Sequence, residues 1–123
     1  MNKFIRTTGV VTINQLRKIL WESVYSNVQN LESLINNLND QFIPGTVEIS
    51  FNFCDSTLKL KSISRAFDIN EVIGKMELAY KGFISDMLNA NRLPISTANE
   101  CYNNINRLYL VTFIDDYHIK IGL

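Results

Sequence analysis

A single histidine, His118, rules out any metal centre built on several imidazoles. The two cysteines, Cys54 and Cys101, stand far apart, and no CxxC or HxxxH spacing exists for a zinc ion to exploit. No continuous apolar stretch follows the basic start Met1-Asn2-Lys3-Phe4-Ile5-Arg6, so no secretory signal is read there. Free thiols in a reducing cytosol are therefore expected. No run approaches the roughly 20 apolar residues of a membrane span. Twelve basic side chains balance twelve acidic ones, which leaves no long-range field to draw the chain to nucleic acid or an anionic membrane.

Catalytic kits are missing too. Gly9, Gly45, Gly74, Gly82 and Gly122 are dispersed and form no phosphate-cradling loop. No GxSxG elbow presents a serine nucleophile. A Cys–His site would need Cys101 or Cys54 beside His118, and a half-buried helix position explains Cys101 without one. Asp115 and Asp116 are adjacent, so on a strand they point to opposite faces and suit a turn better than a shared proton. A metal-dependent nuclease assembled from Glu48, Asp55, Lys59 and Asp115 is not demanded by their order or spacing. The expectation is a chain that is not an enzyme and carries no cofactor or metal.

What the sequence does contain is a helical hydrophobic period of unusual length. From Thr12 to about Asn39 the stripe is Ile13, Leu16, Leu20, Val24, Val28, Leu31, Leu34, Ile35 and Leu38. Thr12 with Gln15 has capping-box spacing, and Val11 can staple to Leu16. One continuous helix of that span would be roughly 42 Å long. A chain of 123 residues has a radius of gyration near roughly 14 Å, so such a helix would cross the whole domain.

The remaining segments alternate between strand and helix signals. Residues 3–11 read as a short strand. Pro44-Gly45 marks a turn, and Val47 to Phe53 alternates as a half-buried strand does. Cys54-Asp55-Ser56-Thr57 then turns the chain into Leu58–Ser62, a hairpin with Phe53 opposite Leu58 and Phe51 opposite Leu60. A second helix starts at Asp68 with Glu71 as its capping partner. Its apolar face is Ile69, Val72, Ile73, Met76, Tyr80, Phe83, Ile84 and Met87, and it ends near Asn91, before Pro94. Glu71–Lys75 and Glu77–Lys81 are favourable pairs four apart. A short helix is expected from Ala98 to Asn106, capped by Thr97 with Glu100. The apolar run Leu108–Ile114 reads as a central strand, and His118–Leu123 returns after the Asp115-Asp116 turn. The order β-α-β-β-α-α-β-β predicts one α+β domain over residues 1–123, with helices packed on a mostly antiparallel sheet.

Two surfaces on these helices attract attention. Arg17, Trp21 and Tyr25 flank the stripe of the first helix, and all three belong to residue types enriched at binding hot spots. On the second helix Gly74, Leu78, Gly82 and Ser85 form a mostly small-residue ridge opposite the apolar face. Each interior glycine costs about 1 kcal/mol relative to alanine, so the pair asks for close approach by another backbone, within the fold or from a partner. The candidate partner contacts are thus Arg17, Trp21, Tyr25, Gly74, Leu78 and Gly82.

In size, neutral charge and want of catalytic motifs the chain resembles small bacterial or phage-encoded inhibitors as a class, toxin-immunity and counter-defence proteins among them. That resemblance implies a non-catalytic cytosolic protein that binds and neutralises a protein partner. The alternative is a small-ligand or nucleotide binder holding an anion on Arg65, Arg92 and Arg107 with Tyr102 or Tyr109. A small hydrolase centred on His118, Asp115 and Asp116 is a third reading. Homodimerisation is compatible with all three.

Overall fold

The computed structural model describes residues 12–122. The strand expected over residues 3–11 and the Val11 staple lie outside them. Thr12 caps α1 (Ile13–Ser26) as its sequence predicts: the Gln15 amide donates to its hydroxyl at 3.2 Å, and its own amide donates to the Gln15 side chain at 2.8 Å. The long helix, however, does not exist. The chain turns extended at Asn27 (φ −141°, ψ 110°) and restarts as α2 (Val28–Asn39). Asn27 Oδ1 accepts from the amides of Gln29 and Asn30 at 2.8 and 3.3 Å, so asparagine caps the second helix where the apolar period continues. Asn30 is buried and secures the joint, its Nδ2 donating to Ser23 O at 3.1 Å and Ser23 Oγ at 2.6 Å. Val28, a member of the expected stripe, is 69% exposed instead.

Strands β1 (Val47–Asn52) and β2 (Thr57–Ser62) form the expected hairpin, with a corrected register. Phe51 faces Leu58 and Ile49 faces Leu60, two residues from the expected pairing. The loop is responsible. Asn52 Oδ1 accepts from the Cys54 amide at 2.8 Å, the Thr57 hydroxyl donates to Asp55 at 2.7 Å, and Ser56 takes a left-handed φ of 57°. Phe53 therefore leaves the ladder for the loop. A shift of two preserves the faces, since side chains alternate with period two.

Asp68 caps α3 (Ile69–Asn89), accepting from the Glu71 amide at 3.0 Å, and both lysine–glutamate pairs form. Ile69 and Ile73 are exposed, and Ala79 takes a place on the buried face. Asn91 (φ 59°) ends the helix while the Arg92 amide bonds back to Met87 O at 2.8 Å. The next helix, α4, runs Ile95–Asn103 with Pro94 as its cap, three residues earlier than Thr97 implied. Proline's fixed φ suits a helix start. A single 3₁₀ turn, Ile105–Arg107, follows.

The run Leu108–Ile114 is also corrected. Leu108 and Tyr109 are buried before the strand, and β3 (Leu110–Asp115) is an edge rather than the centre among the described residues. Paired with it is β4 (His118–Gly122), giving among the described residues a four-stranded antiparallel sheet in the order β1-β2-β4-β3. The fold is α+β, and among the described residues the element order is α-α-β-β-α-α-β-β. Leu58, Leu60, Ile119 and Ile121 on the inner face share one hydrophobic cluster with Leu16, Leu20, Trp21, Leu34, Leu38, Met76, Tyr80 and Phe83 from the helices. No helix among the described residues is long and apolar enough to cross a membrane.

Candidate functional site

The inner face commits the sheet to the core, so its alternate residues decide what the other face presents. Strand pairing arranges them in three rows. Asn52, Thr57, Gly122 and Leu110 form the first; Ser50, Lys59, Lys120 and Thr112 the second; Glu48, Lys61 and His118 the third, with Asp115 beside it. The first row is tight, because a Cβ at Gly122 would lie 3.1 Å from the Thr57 methyl. A bulge between Phe113 and Asp115 leaves Ile114 exposed next to the third row, where it shares a shallow groove with Glu48, Ser50, Lys59, Lys61 and His118.

At the hairpin end the open face meets an aromatic ladder. Trp21 lies 5.8 Å from Tyr25, Tyr25 6.0 Å from Phe51, and Phe51 4.6 Å from Phe53 in an edge-on contact. The series climbs from the core to the surface, with Trp21 only 1% exposed and Phe53 75% exposed. The Tyr25 hydroxyl donates to Ser56 O at 3.0 Å, tying α1 to the loop that carries Phe53. Tyr25, Ser56, Thr57, Leu110 and Lys120 line a second groove joining this end to the basic rows. Phe53 escaped the sequence reading because it was assigned to the ladder.

The sequence-derived partner contacts fare unevenly. Trp21 is a core residue, and its placement on a contact surface is corrected: a large indole sealed in the hydrophobic cluster stabilises more by burial than it could by waiting in water. Tyr25 is surface-accessible. Arg17 is half-buried, its Nε donating to Arg107 O at 2.8 Å. The ridge on α3 divides. Gly82 faces α2, where an added Cβ would strike Asn37 Oδ1, so the close approach there is internal. Asn37 and Ser33 of α2 in turn donate to Asp86 Oδ2 at 2.9 and 2.7 Å. Among the described residues nothing lies within 4 Å of a Cβ added at Gly74, Leu78 is 57% exposed, and Ser85 bonds the Tyr102 hydroxyl at 2.5 Å.

The alternative ligand site does not assemble. Arg65 pairs with Glu71 at 3.0 Å in the first turn of α3, whereas Arg92 follows its last turn and bonds Gln29 and Asn30 of α2. The 21 residues between those ends span about 30 Å. Arg107 belongs to the 3₁₀ turn held by Arg17. Tyr102 is engaged by Ser85, and Tyr109 is buried in a 4.4 Å stack on Tyr80. Burial, with Glu77 adding to it, pushes the Tyr109 hydroxyl up to about 12.

Of the catalytic candidates, His118 and Asp115 do meet, Nδ1 to Oδ1 at 2.7 Å. The same carboxylate accepts from the Tyr117 amide at 2.8 Å, so it clamps the two-residue turn between β3 and β4. His118 first, then Tyr117, holds the Asp115 carboxyl below its usual range. Asp116 is not part of the pair, its carbonyl accepting from the Phe67 amide at 2.8 Å. Cys101 is buried, and burial, then Glu100, pushes its thiol up to about 11, away from a thiolate nucleophile. Cys54 is exposed in the hairpin loop. Among the described residues no three or more His, Cys, Asp or Glu side chains gather as metal donors would.

No protein-family model matches the chain, and neither a curated protein nor a solved structure matches it.

Proposed function

We propose that this chain is a non-catalytic protein that binds another protein and neutralises it by occupying its surface. The observation that carries the reading is Phe53, three-quarters exposed at a hairpin tip and backed by Phe51, Tyr25 and the buried Trp21. A phenyl ring left in water is unfavourable for the isolated chain, by the same transfer term that buries its neighbours. Held on a rigid aromatic support it loses little side-chain entropy on binding, which is the property of an anchor residue. The Tyr25–Ser56 hydrogen bond fixes the loop in advance. The Asp115–His118 pair is explained by its place in a tight turn, and supports no rival chemistry by itself.

A photo-reactive phenylalanine analogue in place of Phe53 tests the reading in cells of the source. The expected product is one discrete adduct with a single partner. That partner, once purified, should bind the wild-type chain, lose its own activity in the complex, and bind Phe53→Ala about 30-fold more weakly, a hot-spot effect of about 2 kcal/mol. Wild-type affinity in Phe53→Ala, or a partner that keeps full activity when bound, overturns it. An adduct between two copies of the chain replaces the partner with a homodimer.

A further inference from the structure

The second row of the open sheet face contains an electrostatic conflict. Lys59 of β2 stands directly opposite Lys120 of β4, and in the next row Lys61 stands directly opposite His118. Opposed residues on adjacent antiparallel strands have Cβ atoms about 5 Å apart, and two ammonium groups placed as those of Lys59 and Lys120 are destabilise the sheet. Neutral or acidic residues at either position would relieve this, and the chain as a whole has acid enough, with twelve carboxylates for twelve cations. Three carboxylates, Asp55, Asp115 and Glu48, stand near the three lysines, but they are engaged unevenly. Asp55 reaches Lys120 at 3.6 Å from the hairpin loop, and Asp115 is taken up by His118. Glu48 faces Lys61 in the register, yet among the described residues neither Lys59 nor Lys61 makes an ion pair. The Asp55 carboxyl is held below its usual range by the Thr57 hydroxyl first, with Lys120 and Lys59 adding smaller contributions.

We infer that this face is the docking surface for an acidic segment of the protein partner, whose carboxylates sit on Lys59, Lys61 and Lys120. The inference rests on the protein-binding reading above and names the chemistry of the partner. Charge complementarity carries it: carboxylates set between the two lysine-bearing strands turn the repulsion between Lys59 and Lys120 into attraction and supply the partner that Lys61 lacks among the described residues. The face is also continuous with the proposed anchor, because Lys120 and Thr57 line the groove that reaches Tyr25. Leu110 and Ile114, both about half exposed, flank the lysines on the edge strand and supply the apolar component of a protein interface. A nucleic acid fits less well, since every aromatic of the hairpin points to the inner face or the loop and none is left among the three rows for bases to stack on.

Fluorescein-labelled decaglutamate and a single-stranded oligonucleotide of equal charge serve as probes of the full chain, read by anisotropy and by backbone amide shifts. The expected result is salt-sensitive binding of decaglutamate, with shift changes on β2, β4 and the hairpin loop. The variant carrying Lys59→Gln, Lys61→Gln and Lys120→Gln should bind at least tenfold more weakly while its melting temperature holds or rises, because repulsion has been removed. Phe53→Ala should leave decaglutamate binding unchanged, which separates this surface from the aromatic anchor. No binding, equal binding by the triple variant, shifts located elsewhere, or tighter binding of the oligonucleotide would overturn the inference. None of those outcomes touches the photo-adduct at Phe53, so the two readings fail independently.

Discussion

The two faces of the sheet are built from alternate residues of the same strands, yet they obey opposite rules. On the inner face Leu58, Leu60, Ile119 and Ile121 lie side by side and are fully buried. One residue away on each strand, Lys59 meets Lys120. Like beside like is favourable where water is expelled and unfavourable where charges share solvent. The inner face therefore accounts for stability, and the outer one is kept at some cost to it. Stability given up at a surface is a common correlate of activity.

The sharpest way to break this contrast is to truncate one residue on each face. Leu60→Ala should cost about 2–5 kcal/mol, since a fully buried leucine in a central strand leaves a cavity that strands cannot readily close. Thr112→Ala, exposed in the second row, should change stability by less than about 0.5 kcal/mol. Urea unfolding at constant m-value measures both. Equal effects would show that the outer face is packed against something in solution.

Helix α3 repeats the contrast with its two interior glycines. Gly82→Ala pushes a methyl into Asn37 Oδ1, whose amide is already fixed by Nδ2 bonds to Ser33 O at 2.8 Å and Asp86 at 2.9 Å. Such overpacking should cost about 1–3 kcal/mol, more than the helix-propensity gain of about 1 kcal/mol. Gly74→Ala meets nothing within 4 Å among the described residues and should stabilise by about 0.4–1 kcal/mol. Opposite signs from the same substitution on one helix are the expected outcome of thermal unfolding. A loss at Gly74 would mean that another surface already covers it.

How far the sequence foretold these surfaces depends on the range of the interaction. Local signals were legible: the caps at Thr12 and Asp68, both hairpin faces, and the glutamate–lysine pairs of α3 all form. The break at Asn27 was not, because Val28 and Leu31 keep the helical period running through it, and only the Ser26-Asn27 pair of poor helix formers hints at a cap. Asn27→Ala should cost about 1 kcal/mol by leaving the Gln29 and Asn30 amides without their acceptor. The burial of Trp21 and the exposure of Phe53 depend on how α1 lies across the hairpin. The opposition of Lys59 and Lys120 depends on β2 pairing with a strand sixty residues later in the chain. Neither is encoded in local pattern, so the site was the least legible part of the molecule.

The smallest expected effect compares the two ends of the open face. Asp55 and Asp115 both have carboxyl pKa values below the ordinary 3.8, for different reasons: the Thr57 hydroxyl and then the nearby lysines at one end, His118 and the Tyr117 amide at the other. Each binds fewer protons folded than unfolded, so each contributes stability above the unfolded value, and that contribution is lost as pH falls through the depressed folded one. The acid limb of the stability profile below about pH 3.8 should carry both. Carboxyl carbon shifts followed by NMR distinguish them. His118→Ala should raise the Asp115 titration and leave Asp55 alone, whereas Lys59→Gln should raise Asp55 slightly and leave Asp115 alone. If Lys59→Gln moves neither group, the positive field on this face is too weak to recruit an acidic partner, and the contrast between the two faces reduces to burial.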